Sequence, residues 1–570
     1  MSAQTSQPDA ALSGAEAMVR MLQAHQVEYL FGLCGDTTLP FYDALSRLDH
    51  GITHILTRDE RAAAYMADGY ARVSGRVGVC EGPSGGGATY ILPGVVEANE
   101  SSVAMVSITS DVSVVSRGHY PLTELSQERL FAPLTQFNAV IDQAGRLTPL
   151  VRAAFRAATT GRPGAAHLGF PIDIQRAQIA PGDIWAQPEF GRFPAWPAAP
   201  DPSAVEKALL LLAGAKRPLA ICGGAVVSCG AEESLALLAE RFNLAVATTV
   251  SGKGALADNH PLGLGVIGSN GGTPATRAVV DAADLVIFIG CRAGSVTTER
   301  WRSPAPGVKV IQIDCDPMVI SATYPTEVAM VSDAGLALVA LNEAAQADDL
   351  QADGNGQQIV ADARKRKFAE FEPLSRSQDY PIRPERVVAA LNALMPADGM
   401  VVADPGTPCP YFSAYFRQTQ PGRRMFSNRA HGALGYALAA AIGAQFAAPD
   451  QTVVCAMGDG SFGMSVGELE TLVRLGLPVK CLVFSNSSYG WIKAGQRAGF
   501  GERYFSVDFS ATDHAAVARA YGVQSWTADD PQTLSTTLTQ ALEAPGPALV
   551  DIISQPLEQA KAPVSEWIAP

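Results

Sequence analysis

Short apolar runs alternate with longer amphipathic segments along almost the whole chain, and this rhythm limits the fold more than any other feature. The runs include EYLFGL (28–33), VGVCEG (77–82), AMVSITS (104–110), PLAICGG (218–224), LVIFIG (285–290), KVIQID (309–314), TVVCAMG (452–458) and VKCLVFS (479–485). A strand that is apolar on both faces and followed by a helix-length segment belongs to a parallel sheet covered on both sides. The rhythm breaks twice. Residues 186–203 are proline-rich, and residues 343–358, EAAQADDLQADGNGQQ, are polar, so both read as linkers. Three doubly wound α/β domains are therefore expected, over 1–185, 201–342 and 360–570.

Composition narrows the class. Of 570 residues, 47% are hydrophobic and 17% charged, which suits large buried cores rather than disorder. A net charge of −14 argues against nucleic acid and anionic membranes as partners. The first residues lack a basic-then-apolar leader, and no run reaches the ~18 uninterrupted apolar residues of a membrane span. GALGYALAAAIGAQFAA (432–448) reads instead as a buried helix. The nine cysteines show no C-x-x-C spacing, which fits a reducing cytoplasm.

The segment GDGSFGMSVGELETLVRLG (458–476) poses the central chemical question, because Gly458 to Gly463 also spell the G-x-G-x-x-G dinucleotide pattern. Asp459 speaks against that reading, since a carboxylate repels a bare pyrophosphate unless a cation lies between them. SVGELETLVRLG is expected to be one helix, with Val466, Leu469, Leu472, Val473 and Leu475 near helical spacing. In a right-handed βαβ unit both strands end at the same sheet edge, so Asp459 and Asn486 converge there. A carboxylate and an amide oxygen beside glycines suit Mg²⁺ bridging a diphosphate. An Asp that merely caps a helix is the competing reading.

GDG followed by Asn486 resembles the cofactor motif of thiamine-diphosphate (ThDP) enzymes. The resemblance implies that Asp459, the Asn486 side chain and the Ser488 carbonyl bind Mg²⁺, with Gly458, Gly460, Ser461 and Phe462 around the cofactor. Ser485 stands where the family often has a first Asn. RDERAAAYMADGYARVSG (58–75) resembles the pyrimidine-binding domain of the same family, in which Glu60 would share a proton with the aminopyrimidine ring and so activate the cofactor. SNRAHGALGYALAAAIGA (427–444) resembles the segment that bends the cofactor, with the Gly432 carbonyl and Leu434 against the ring. ADPGTPCPY (403–411) resembles the diphosphate loop, with Gly406 and Thr407 as contacts. The family further implies a homodimer or homotetramer with active sites between subunits.

Similarity to the acetolactate synthase-like branch covers nearly the whole chain, but three pocket positions differ. Thr123, Gln136 and Gly495 stand where that branch carries Gln, Lys and Trp. Gly for Trp opens the pocket, and loss of Lys removes a carboxylate partner, so a substrate bulkier than pyruvate or with a masked acid is expected. Asp36 resembles a pocket acid of decarboxylases, and a turn-capping Asp is an equal reading. Glu124 matches an acid of the oxalyl-CoA decarboxylase and 2-hydroxyacyl-CoA lyase branch. His431 beside the wedge and Lys493 after the metal loop each admit a plain structural role. The tail 562–570, with Ser565, Glu566 and Trp567, could form a lid. Lys216, Arg217, Lys253, Arg277 and Arg292 could serve CoA or ADP phosphates in the central domain.

The leading expectation is a ThDP- and Mg²⁺-dependent 2-hydroxyacyl-CoA lyase, running also as a ligase. The alternative is an acetolactate synthase-like 2-oxo acid decarboxylase and carboligase, for which FAD could occupy the central domain. A catalytically silent ThDP-binding paralogue is the third possibility, which Glu60, Asp459 and Asn486 together disfavour.

Overall fold

The computed structural model describes residues 11–352, 354–560 and 562–564. The chain divides into two compact units, Met1–Trp196 and Pro197–Pro570. In the first lie β1 (Leu12–Ser13), β2 (Tyr29–Gly32), β3 (Thr53–Leu56), β4 (Gly78–Gly82), β5 (Met105–Asp111), β6 (Phe137–Val140), β7 (Ala165–Pro171) and β8 (Gln178–Ile179). Six of them form a parallel sheet in the order β3-β2-β4-β5-β7-β6, while β1 and β8 pair antiparallel beside it.

The second unit holds two further six-stranded parallel sheets. One comprises β9 (Pro218–Cys222), β10 (Ala245–Thr248), β11 (Gly263–Val266), β12 (Leu285–Ile289), β13 (Lys309–Asp314) and β14 (Val328–Val331), in the order β11-β10-β9-β12-β13-β14. The other comprises β15 (Met400–Ala403), β16 (Met425–Phe426), β17 (Val453–Gly458), β18 (Lys480–Ser485), β19 (Gln524–Ala528) and β20 (Ala548–Ile553), in the order β16-β15-β17-β18-β20-β19. The expected α/β architecture of three helix-flanked parallel sheets is what the chain forms, and each apolar run named above is a strand. The helix Ala437–Ala447 is apolar on every side and accordingly buried. Among the described residues no helix is long and apolar enough to cross a membrane.

Three local expectations need correction. The proline-rich segment is tied into the first unit: Val77 donates to the Gly191 carbonyl at 3.0 Å, Phe193 to Gly75 at 3.1 Å and Ala195 to Thr159 at 3.1 Å. These bonds satisfy its backbone and carry the compact unit to Trp196. The polar linker is shorter than its composition suggests, because the helix Ala334–Ala347 runs into it and the helix Gly356–Ser375 begins before it ends. The segment after Asp459 is two helices, Asp459–Ser465 and Glu468–Leu475, separated by tight turns in which Leu469 donates to Val466 and Glu470 to Gly467. Leu469 and Leu472 are buried, whereas Val473 and Leu475 are exposed. Of the C-terminal segment only Ala562–Val564 is described, so Ser565, Glu566 and Trp567 lie outside the described residues.

Candidate active site

In an open α/β sheet, ligands settle beyond the strand carboxyl ends where the strand order reverses. In the third sheet that point lies between β15 and β17, which lead into Asp404–Thr407 and Asp459. The adjacent β18 leads into Asn486. Asp459 is buried and its carboxylate organises the edge. Oδ2 accepts the backbone N–H of Asn486 at 2.8 Å and of Ser487 at 2.6 Å, and Oδ1 accepts that of Gly460 at 2.9 Å. Burial pushes this carboxyl above the usual carboxylate range, and the three N–H groups oppose the shift. Asn486 Oδ1 accepts from the Ser488 N–H at 3.2 Å and hydroxyl at 3.1 Å.

Asp404, which the sequence reading passed over, clips three segments together. Its Oδ1 accepts from the N–H groups of Tyr436 at 3.0 Å and Ala437 at 3.3 Å, and its Oδ2 from the Ser461 hydroxyl at 2.5 Å. The Ser461 oxygen in turn accepts the Gly435 N–H at 2.9 Å. The loop after β15, the expected wedge segment and the helix of Asp459 are thereby locked to one another. Burial raises the Asp404 carboxyl to about 6.

The loops after β15 and β18 also meet. A Cβ placed on Gly490 would lie 3.1 Å from Thr407 Oγ1 and 3.7 Å from Asn486 Nδ2. A Cβ on Gly406, Gly432 or Gly458 would meet nothing within 4 Å, so these backbones border open space; Gly406 (φ +106°) and Gly432 (φ +73°) also hold left-handed conformations. The other glycine-turn positions are differently placed. Gly460 packs under the Tyr489 ring, the Ser461 hydroxyl is committed to Asp404, and Phe462 is a core residue edge-on to His514. Leu434 is half-buried and His431 exposed.

Ser485, in place of the frequent Asn, bridges the Asp551 carboxylate and His514 Nδ1, the latter at 3.0 Å. The hydroxyl is buried beneath the loop that carries Asn486. Lys493 is held by Asp508 at 2.8 Å and Glu558 at 3.2 Å, which engages the cation expected to face an anionic substrate. A Cβ on Gly495 would meet nothing within 4 Å. In the central sheet, buried Lys253 pairs with Asp258 at 2.8 Å and Arg277 with Glu299 at 3.0 Å, so two of the cations expected to serve a phosphate are already partnered.

In the first unit the strand order reverses between β2 and β4. Glu60 opens the helix Glu60–Ser74 behind the Asp59 cap and is buried. Its Oε1 would lie 3.2 Å from a Cβ on Gly87, which places the carboxyl against the short helix Gly86–Tyr90 that follows β4. Burial first, then the charges of Asp59 and Glu81, raise its proton affinity, while Arg61 opposes them. The same edge carries a chain of hydroxyls. Thr37 Oγ1 lies 2.6 Å from Ser110 Oγ and 3.0 Å from Ser84 Oγ, and Ser84 Oγ lies 2.7 Å from Thr123 Oγ1. Thr123 holds φ +71°, an uncommon conformation for a β-branched residue. Asp36 is exposed at the start of the turn Asp36–Thr38, and Glu124 accepts the Gly118 N–H at 2.8 Å. Gln136 precedes β6, at the opposite sheet edge, and donates to the Pro163 carbonyl at 3.2 Å.

The donor sets fit the expected groups. Asp459, Asn486 and Ser488 offer hard oxygens of the kind Mg²⁺ prefers. Gly406 and Gly458 border open space beside a helix start, where backbone N–H groups favour phosphate. In the segment 427–434, Asn428 Oδ1 is buried and has no hydrogen-bond partner among the described residues.

Comparison with known proteins finds matches in all three sheets. Residues 12–130 match the N-terminal TPP binding domain of thiamine pyrophosphate enzymes, residues 205–341 their central domain and residues 404–552 their C-terminal TPP binding domain. The chain is 35% identical to a probable acetolactate synthase large subunit of Methanococcus aeolicus, over 96% of this chain and 92% of that one. It is 34% identical to the corresponding protein of Methanocaldococcus jannaschii, covering 96% and 93% of the two chains. It is 30% identical to acetolactate synthase isozyme 3 large subunit of Escherichia coli, covering 93% and 92%.

Proposed function

The chain belongs to the thiamine pyrophosphate enzymes, and from that premise we propose that it decarboxylates a 2-oxo acid and joins the remaining fragment to a second carbonyl compound, as an acetolactate synthase-like carboligase. The observation that carries this reading is that proteins named acetolactate synthase match it at 30–35% identity along nearly the full length of both chains. The 2-hydroxyacyl-CoA reading favoured from sequence gives way to it, and the partnered Lys253 and Arg277 weaken the case for a thioester nucleotide.

Bound thiamine diphosphate supplies an electron sink for breaking and making bonds beside a carbonyl. Asp459, Asn486 and the Ser488 carbonyl would hold Mg²⁺. Gly458, Gly406 and Thr407 would receive the diphosphate, and the Gly432 carbonyl and Leu434 the pyrimidine ring. Glu60 would share its proton with a ring nitrogen. Its buried position and raised proton affinity suit that task near neutrality. Catalysis requires a homodimer or larger assembly in which Glu60 of one subunit serves the metal site of its partner. Thr123 on the loop edge and Gly495 beside open space fit a substrate larger than pyruvate.

The test is incubation of the purified protein with ThDP and Mg²⁺, offering pyruvate, longer 2-oxo acids and a 2-hydroxyacyl-CoA in parallel. Mass spectrometry should find a 2-hydroxy-3-oxo acid formed with loss of CO₂. Acyl-CoA release with no 2-oxo acid turnover would overturn the proposal.

A further inference from the structure

One buried cluster in the first unit is used by nothing described so far, and it lies next to Glu60. Glu81 is the penultimate residue of β4 and fully buried. Its carboxyl rises over Gly32 of the neighbouring strand, where a Cβ would stand 1.9 Å from Glu81 Oε1. Tyr42, on the helix Leu39–Arg47, donates its hydroxyl to Glu81 Oε1 at 2.5 Å. His54 Nε2, on β3, lies 3.3 Å from the same oxygen and 3.0 Å from the Tyr42 hydroxyl. The His54 side chain is 20% exposed, so the cluster reaches solvent through it.

The side chain of Glu60 passes over the next residue of the same strand. A Cβ on Gly82 would lie 3.5 Å from Glu60 Cγ. Side chains alternate across a strand, so the two acids flank the Glu81–Gly82 peptide from its two faces. They are unequally provided. Glu81 has the Tyr42 hydroxyl, the His54 ring and the Leu33 backbone N–H to stabilise an anion. The Glu60 carboxyl has its own backbone N–H and no other side chain hydrogen-bonded to it among the described residues. The remaining charged or titratable neighbours are Asp59, which caps the Glu60 helix, Arg61 on that helix, and Cys34 near Tyr42. Burial raises the proton affinity of both carboxyls, Glu81 included, and two buried acids in electrostatic contact resist ionising together; the hydrogen-bond donors gathered on Glu81 favour placing the one charge there.

We propose that Glu81 is a positioning residue for Glu60: held as the anion by Tyr42 and His54, it keeps the buried proton on Glu60, where the aminopyrimidine ring of the cofactor can share it. This rests on the reading of Glu60 as the proton-sharing acid. Gln at position 81 removes the charge and still accepts from Tyr42. Phe at position 42 removes the donor, so the shared proton moves toward Glu81 and Glu60 ionises more easily. Both changes act on Glu60 in the same direction.

The experiment is an infrared pH titration of the full-length protein freed of cofactor, with the protonated carboxyl band of Glu60 identified as the one missing in Glu60→Gln. Glu81→Gln and Tyr42→Phe should each lower the midpoint of that band by about one pH unit or more. The alkaline limb of the kcat profile should move down with it. A midpoint unchanged in Glu81→Gln, in protein with native near-ultraviolet circular dichroism, would overturn the proposal. If Glu81→Gln does not fold, an unchanged midpoint in Tyr42→Phe overturns it equally. The band is read without substrate, so the outcome is independent of the substrate proposed above: a shifted band in a protein inert toward 2-oxo acids would refute the substrate class and support the role of Glu81.

Discussion

The Asp459 carboxylate accepts the backbone N–H of Asn486 at 2.8 Å, across the ends of two adjacent parallel strands. One side chain therefore holds the shape of the loop that carries the second expected metal ligand. Its charge and its acceptor role can be separated by substitution. Asp459→Asn retains an acceptor for the loop while losing the charge that attracts a divalent cation. The variant should fold, with a melting temperature within a few degrees of the parent, yet lose Mg²⁺-dependent ThDP binding in a calorimetric titration. Asp459→Ala should lose both, because buried N–H groups left without an acceptor cost roughly 1–3 kcal/mol each.

Gly490 tests whether Thr407 and Asn486 form one site. An alanine there would press within 3.1 Å of Thr407 Oγ1 and 3.3 Å of Leu557 Cβ. Gly490→Ala should weaken ThDP binding by about tenfold, equivalent to ~1.4 kcal/mol, with little change in unfolding midpoint. Unchanged affinity would place the diphosphate elsewhere.

Acid should destabilise the first unit through two buried histidines. His25 stacks on Phe155 at 4.0 Å, and burial lowers it from 6.5 to about 4. His167 stacks on Phe131 at 3.5 Å, and burial lowers it to about 3. Both native states favour the neutral ring, so their contribution is fully present above about pH 6.5 and is lost as pH falls through about 4 and then about 3. Urea unfolding from pH 7 down to 4 should show stability falling, and His25→Leu should flatten that slope.

How much of this was legible in the sequence follows from where each residue sits. The strands read from apolar runs, such as β2, β9, β12, β17 and β18, lie inside their sheets, where the run is nearly continuous because both faces are buried. Edge strands carry a weaker signal: β14 alternates buried and exposed residues, and β16 is two residues long. His167 in β7 and Asp551 in β20 interrupt inner runs with polar groups whose partners, Asn138 and His514, are distant in sequence. Asp459 and Asn486 were readable because each falls just after a strand of one sheet, where topology alone predicts convergence, whereas Glu60 was legible only through the family resemblance of its helix. Asp404, Glu81 with Tyr42 and His54, and the Ser84–Thr123 contact were not, because each depends on side chains meeting from separate elements. Val473 and Leu475 fit a helical period yet face solvent, since the period reports a stripe and not what covers it.

Shared sites can be tested by mixing. If each site draws Glu60 from one subunit and Asp459 from another, then Glu60→Gln and Asp459→Asn, each inactive alone, should regain about a quarter of parental activity when dissociated and reassembled together in equal amounts. Half the dimers are then mixed, and each mixed dimer has one intact site. No recovery in reassembled mixtures would place both residues on the same subunit of each site.

In the proposed function, Glu60 switches on a cofactor that Asp459 and Asn486 anchor. The most direct measurement is the rate at which the thiazolium C2 proton of bound ThDP exchanges with deuterium, followed by NMR after acid quench. Glu60→Gln should still bind ThDP with Mg²⁺ but exchange at least about a hundredfold more slowly than the parent. Equal exchange rates in the two proteins, with the cofactor bound in both, would show that Glu60 does not activate it.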